Sequence, residues 1–194
     1  MSIHKNAQLK RTNPHNISSD ILYRWSPKTM AGEAIDFNDL KALLEAARWA
    51  PSSRNSQEWH YYYAPRETSA FQDLFNLLTP DNQKWCGQAA VLLILVSNKF
   101  SDYKHKKLPS HSFDTGASSI CLQIEACRRN LVAHPMLGFD KEAAQKYLNL
   151  GKEFSIEIMM AIGKPTPEIE QEKVSLRRPL TEISTNLSQK NTQH

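Results

Sequence analysis

The run AAVLLILV, Ala89 to Val96, does more than any other stretch to limit how this chain can fold. It is continuously apolar, rich in leucine and β-branched residues, and has the length of one strand. Without polar alternation, a strand must be covered on both faces, so the run is expected at the centre of a sheet. A bilayer span requires about 20 apolar residues. The run is far shorter, and no membrane segment is expected.

The elements around it follow from spacing and punctuation. Asp36 is suited to cap a helix in which Phe37, Leu40, Leu43, Leu44 and Ala47 form one apolar stripe, ended by Pro51. WHYYYA from Trp59 reads as a strand, and Thr68 or Ser69 caps a helix carrying Phe71, Leu74, Phe75 and Leu78. A short helix is expected near Asn82 to Gln88, and a long one over Phe113 to Val132 with Ile120, Ile124, Cys127 and Leu131 on one stripe. HPMLG reads as a turn, then a helix over Lys141 to Leu148, then a strand in which Ile156, Ile158, Met160 and Ile162 share a face. The result is one α+β or α/β domain from Ile21 to Gly163. Before it, residues 1–20 are expected to form a loose polar arm; after it, Lys164 to His194 lacks periodicity and must wrap over something or stay irregular.

Composition excludes little beyond disorder: 40% of the 194 residues are apolar, and 24 Lys and Arg against 20 Asp and Glu give a net charge of +4. That mild excess suits a phosphate-bearing ligand or a weak polyanion. Cys86, Cys121 and Cys127 are odd in number and have no CxxC spacing, so reduced thiols and a cytoplasmic setting are expected. Motifs for dinucleotide-binding glycine loops, P-loops, zinc helices and nucleophile elbows are absent. Catalysis by this chain would need a bound group to supply the reactivity.

Three polar groupings remain. In RWSPK, Arg24, Ser26 and Lys28 alternate along an extended segment, and a guanidinium with a hydroxyl suits a phosphate. In APSSRNSQEW, Asn55 and Gln57 carry paired donors and acceptors that suit a uracil-like ring edge, while Ser52 and Ser53 equally suit a turn after Pro51. In SLRRPLTE, Arg177 and Arg178 stand in the irregular tail. The basic run Lys104, His105, Lys106, Lys107 and the Arg pair leave a second reading open, a non-catalytic module that binds a polyanion.

The order RWSPK, LLEAARWAPSSRNSQEW, NQKW, LVAHPMLGFD, AIGKP and RRPLTE resembles the FMN-dependent nitroreductase family over about Ile21 to Ile183. That resemblance implies an α+β fold with a central mixed sheet flanked by helices. It implies a homodimer with FMN at the interface and a C-terminal extension, residues 164–194, that embraces the partner. By position, Arg24, Trp25, Ser26 and Lys28 match contacts to the phosphate, ribityl chain and pyrimidine edge, and Arg177 matches the tail's contact to the phosphate. Pro51, Ser52, Ser53, Asn55 and Gln57 match the segment that meets the isoalloxazine from the other subunit. Asn82 matches the amide at the pyrimidine edge, and Leu137 and Gly138 match the backbone facing flavin N5. No side-chain acid or base and no metal is implied. The implied chemistry is ping-pong hydride transfer through N5 from NADH or NADPH to a small electron-poor acceptor such as a nitroaromatic, quinone or activated alkene. Dehydrogenation, dehalogenation and flavin breakdown are other chemistries of such a scaffold. The sequence departs from the pattern at Glu58, usually Pro; at Trp85, often Lys, with Lys84 adjacent; at Leu137, often Glu; and at Ser175, basic in some members.

Overall fold

The computed structural model describes residues 3–101 and 104–188. Residues 1–2 of the expected arm, 102–103 of the loop before the long helix and 189–194 of the extension lie outside them. In chain order the helices are α1 His4–Lys10, α2 Ser19–Tyr23, α3 Phe37–Arg48, α4 Ser69–Asn76, α5 Pro80–Cys86, α6 His111–Arg128 and α7 Lys141–Tyr147. The strands are β1 Trp59–Pro65, β2 Val91–Asn98, β3 Val132–Met136 and β4 Phe154–Gly163, in spatial order β1-β2-β4-β3. The α+β class stands. Every pairing among the described residues is antiparallel, however, so the sheet within one chain is not the expected mixed one.

β2 occupies the centre, and its alternating side chains divide the core. Val91, Leu93 and Leu95 face α3 and α6, meeting Leu40, Leu43, Ala47, Leu122 and Ala126. Leu92, Ile94 and Val96 face the opposite side with Phe71, Leu74, Cys86 and Met136. β4 shows why simple alternation is incomplete. Leu95 pairs with Ile158 but Val96 pairs with Ile156, which leaves Glu157 as an extra residue. One extra residue reverses the facing of all that precede it. Ile158, Met160 and Ile162 therefore share the α3/α6 side, whereas Ile156 joins the other layer.

Three expectations are corrected. HPMLG is not a turn throughout: Pro135 lies inside β3, where an edge position tolerates a missing N–H because only one side of the strand pairs. The N-terminal arm is not loose. Ile3 and Ala7 are buried, and Asn6 Nδ2 donates to the carbonyls of Ile169, Glu170 and Glu172. The tail likewise begins inside the core, with Ile169 and Val174 buried, and only from Ser175 does the chain run exposed.

The long helix also departs from its expected face. Cys127, and Leu131 just beyond the helix, are buried as expected, but most of the buried face is small and polar, Asp114, Thr115, Ser118, Ser119, Leu122, Gln123 and Ala126, which lets α6 approach α3 closely enough for Ser118 Oγ to donate to the Ala47 carbonyl at 2.9 Å. The apolar residues Phe113 (82% exposed) and Ile120 (39%) point outward instead. With Phe37 and Trp49 on α3 and just beyond it, they leave more apolar surface uncovered than scattered single residues would.

Candidate functional site

Two separate groups of polar residues are built, one at each edge of the sheet. The first follows α2, where Arg24 to Lys28 is extended and alternates as expected. Trp25 and Pro27 turn inward, while Arg24 and Ser26 are half-buried and Lys28 is exposed. Trp25 is a correction: its ring lies in the core and its Nε1 donates to the Ile3 carbonyl at 2.9 Å, so its side chain offers nothing to a ligand. Arg24 Nη1 donates to Ser26 Oγ at 3.1 Å and to Gln123 Oε1 at 3.2 Å, both neutral acceptors.

Two more guanidiniums approach it. Arg11 donates to the carbonyls of Leu22, Arg24 and Ser175, fastening α1, the Arg24 segment and the tail together. Its Nε is buried without an acceptor. Burial lowers the pKa of Arg24, and the positive charge of Arg177 lowers it further; for Arg11, burial is followed by Arg177 and Arg24. Among the described residues none of the three forms an ion pair with a carboxylate. Gathering three cations with no anion is unfavourable in the empty protein and favourable once a dianion sits between them. Arg11 was hidden from the sequence reading because nothing local in QLKRTNPHN separates it from a solvated basic residue.

Lys28 continues the same edge. Its backbone N–H and that of Thr29 donate to the Glu172 carboxylate, which fixes the turn after Pro27 to the tail. Its Nζ lies 5.6 Å from the Trp85 ring centroid, and Trp85 lies 4.6 Å from the His134 ring. His134 Nδ1 sits 3.0 Å from the Pro27 carbonyl, and burial lowers its pKa. Lys84 turns away to pair with Asp81 at 2.6 Å on the outer surface. Trp85, whose Nε1 is buried without a partner, thus takes the inward place beside Lys28.

Asn82, Leu137 and Gly138 are brought together by direct bonds. The Gly138 carbonyl accepts from Asn82 Nδ2 at 2.9 Å, Thr79 N at 3.0 Å and Thr79 Oγ1 at 3.1 Å. A side chain at Gly138 would place its Cβ 2.5 Å from Asn82 Nδ2 and 2.8 Å from Thr79 Oγ1, so any other residue would displace the two side chains that bond this carbonyl. Leu137 is 67% exposed, its backbone carbonyl accepting from Phe139 N.

The second group is the APSSRNSQ segment after α3. Ser53–Asn55 makes a short 3-10 turn, and Arg54, Asn55 and Gln57 all have positive φ, at 56°, 57° and 49°. Left-handed non-glycine residues each cost of order 1 kcal/mol or more and persist where surroundings over-determine them. Here Gln57 N donates to Ser52 Oγ, Gln57 Nε2 to the Asn55 carbonyl and Ser56 Oγ to the Ser53 carbonyl. Ser53 N donates to Asp114 Oδ2 at 2.9 Å, and Ser110 Oγ donates to the same oxygen at 2.8 Å. Pro51, Ser53, Asn55 and Gln57 remain exposed, with Ser52 half-buried.

Behind this loop stands Glu58, buried to 7% exposure with neither carboxyl oxygen hydrogen-bonded. Burial pushes the carboxyl up to about 7, and the nearby Asp114 carboxylate adds to the rise. Burial also works to raise Asp114, but hydrogen bonds from Ser53 N and Ser110 outweigh it and hold that acid below the usual range. An acid whose folded pKa exceeds its ordinary 4.5 binds an extra proton on folding. Its contribution to stability is full below about 4.5 and is lost as pH rises through about 7. The Asp114 contribution has the opposite sign and is lost only in more acid solution. Urea unfolding should therefore show stability falling from about pH 5 to 8, and Glu58→Gln should flatten that slope and gain about 1–2 kcal/mol at the alkaline end. An unchanged slope in the variant would remove Glu58 as its source.

The two groups do not meet within one chain. They flank β1 and β3, three strand spacings or about 14 Å apart. α6 spans the gap, since Asp114 at its start holds Ser53 and Gln123 further along holds Arg24. Among the described residues no hydrogen bond or ion pair joins them, and none forms a cluster suited to a metal.

An antiparallel sheet covered by helices, with an arginine cluster at one edge and a hydroxyl and amide loop of positive φ at the other, defines the class as α+β. The profile of the Nitroreductase family matches residues 21–164, and the chain belongs to that family, whose chemistry is oxidoreduction. A solved structure described as an oxidoreductase containing FMN is 31% identical, with a TM-score of 0.85 over 90% of this chain and 93% of that one. A nitroreductase family protein from Streptococcus pneumoniae TIGR4 shares the fold at 19% identity, with a TM-score of 0.70 over 84% and 96%. A curated relative in Bacillus subtilis strain 168, named "Putative NAD(P)H nitroreductase MhqN", is 23% identical over 79% of this chain and 90% of its own length.

Proposed function

We propose that this chain is an FMN-dependent NAD(P)H oxidoreductase of nitroreductase type, acting as a homodimer in a reducing, cytoplasmic setting. The observation that carries the reading is the cluster of Arg11, Arg24 and Arg177, which presents three guanidiniums and no carboxylate beside Ser26. The residues fit FMN: the phosphate is suited to the arginines, the ribityl hydroxyls to Ser26, and the pyrimidine edge to Lys28 and Asn82. FMN held there would supply two-electron redox chemistry between NAD(P)H and a small electron-poor acceptor.

The chain's own part is to bind, orient and shield. Lys28, held over Trp85, places a positive charge where electron density rises on reduction, which favours the reduced flavin. The half-buried rings of His134 and Trp85, 4.6 Å apart, pack behind that edge. Asn82 and Thr79 lock the Leu137–Gly138 backbone in place. Pro51, Ser52, Ser53, Asn55 and Gln57 reach a flavin held by the other subunit; the outward Phe37, Trp49, Phe113 and Ile120 supply an apolar surface for that association. Free thiols at Cys86, Cys121 and Cys127 suit a reducing compartment.

The test is direct. The purified protein should be yellow, release FMN on denaturation, and bleach under anaerobic conditions on addition of NADH or NADPH. Failure of both donors to bleach bound flavin would sink the reductase reading.

A further inference from the structure

We propose that a cleft beside the flavin loop binds the phosphates of the reduced nicotinamide dinucleotide and favours the donor that carries a 2′-phosphate. The cleft measures about 550 Å³, a volume that accommodates a phosphorylated ribose with part of its base. Arg54, Asn55 and Ser56 form one wall, and Ser101, Lys106 and Lys107 from the connection between β2 and α6 form the other. Arg54, Lys106 and Lys107 take part in no ion pair among the described residues, whereas Lys5, Arg48, Lys84, Arg128, Arg129 and Lys164 all do. Among the described residues no carboxylate lines the cleft.

The walls are held rather than loose. Ser101 N donates to the Lys106 carbonyl at 2.8 Å, Leu108 N donates to the Lys99 carbonyl at 2.7 Å, and Phe100 bridges to Lys107. The opposite wall is the turn anchored by Asp114, and Arg54 keeps a left-handed backbone there. Three cations carried on a backbone held in this way, around a volume of this size and with hydroxyl and amide groups between them, suit a phosphate subsite.

The choice of ligand rests on the flavin-oxidoreductase reading above. The same turn that walls the cleft is the segment proposed to meet the flavin ring. A donor whose nicotinamide lies on that ring must lead its remaining phosphates over the neighbouring rim, where Lys106 and Lys107 stand. Both nicotinamide donors share the diphosphate; only one adds a dianion on the ribose, and a third cation is what that extra charge demands.

Two measurements test this on the full chain. Calorimetric titration with 2′,5′-ADP and with 5′-AMP should show the former binding more tightly, and Lys106→Ala/Lys107→Ala should weaken 2′,5′-ADP by about tenfold or more. In steady state, the same double variant should lose about tenfold in kcat/KM for NADPH and less than about threefold for NADH, with flavin content unchanged. Arg54→Gln should repeat the pattern without altering two lysines at once. Equal binding of the two nucleotides, or equal losses for both donors, overturns the proposal. So does a loss confined to anionic acceptors such as nitrobenzoate, which would assign the cleft to the acceptor. A protein that binds 2′,5′-ADP at these residues yet carries no flavin would instead defeat the flavin reading and leave the phosphate subsite standing.

Discussion

Replacing Arg24 with alanine should abolish retention of the proposed FMN. Arg24 is already oriented by Ser26 and Gln123, so a phosphate gains its fork without an ordering cost. Loss of such a charge-assisted pair is worth about 3 kcal/mol, or roughly a hundredfold in dissociation constant. Arg24→Lys keeps the charge but not the fork and should fall between the two. Dialysis followed by the visible spectrum reads the result. The melting midpoint of the flavin-free protein separates this from general damage. Removing Arg24 relieves a charge that burial and Arg177 oppose but leaves the buried Gln123 Oε1 without its donor, so the apo midpoint should move little while the flavin is lost. A variant that stays fully loaded after extensive dialysis would end the phosphate assignment.

Ending the chain after Val174 should have the second large effect. Ile169 and Val174 are core residues of their own chain and Glu172 holds the Lys28 turn, so a truncation before Pro165 would damage the fold itself. A cut after Val174 spares them. It removes Arg177 together with Leu176, Leu180, Ile183 and Leu187, which are 56–71% exposed. Apolar side chains spaced along an irregular exposed segment have no partner in their own chain, which is what a segment lying on a second copy requires. Sedimentation of the truncated protein should shift from dimer toward monomer, and flavin retention should fall with the loss of one guanidinium. An unaltered sedimentation profile would show that the extension does not hold the dimer together.

Much of the fold was legible because the relevant forces are local. Eight apolar residues at strand length place β2, Thr68 and Asp36 cap helices through their own side chains, and Pro51 lies just past the end of α3. The errors came where a distant surface overrode local character. α1 looks polar, yet Ile3, Ala7 and the bonds of Asn6 seat it once Trp25 and the tail provide a surface. Pro135 signalled a turn, yet an edge strand accommodates it. The stripe of α6 held at Cys127 and Leu131 but failed at Ile120, because the buried face also takes in serines and a glutamine that only close packing against α3 explains.

The site divides in the same way. The alternation of Arg24, Ser26 and Lys28 is a property of any extended segment, and the sequence sufficed to predict that they share a face. Trp25, drawn from the same five residues, could not be excluded until its partner Ile3 was known. Arg11 and Arg177 lie 166 positions apart, and no periodicity links them; only the docking of helix α1 and the tail beside the Arg24 segment gathers their charges. Glu58 was visible as a departure, but its unusual proton affinity comes from burial and from Asp114, placed by a helix 56 residues further on. What the sequence settled by itself was the set of elements with a local cause: one wholly buried strand, the capped helices and the polar strip at Arg24. What the tertiary structure decided was which charges stand together and which are desolvated, because electrostatic energy depends on separation and burial in space, and neither is written in the order of the chain.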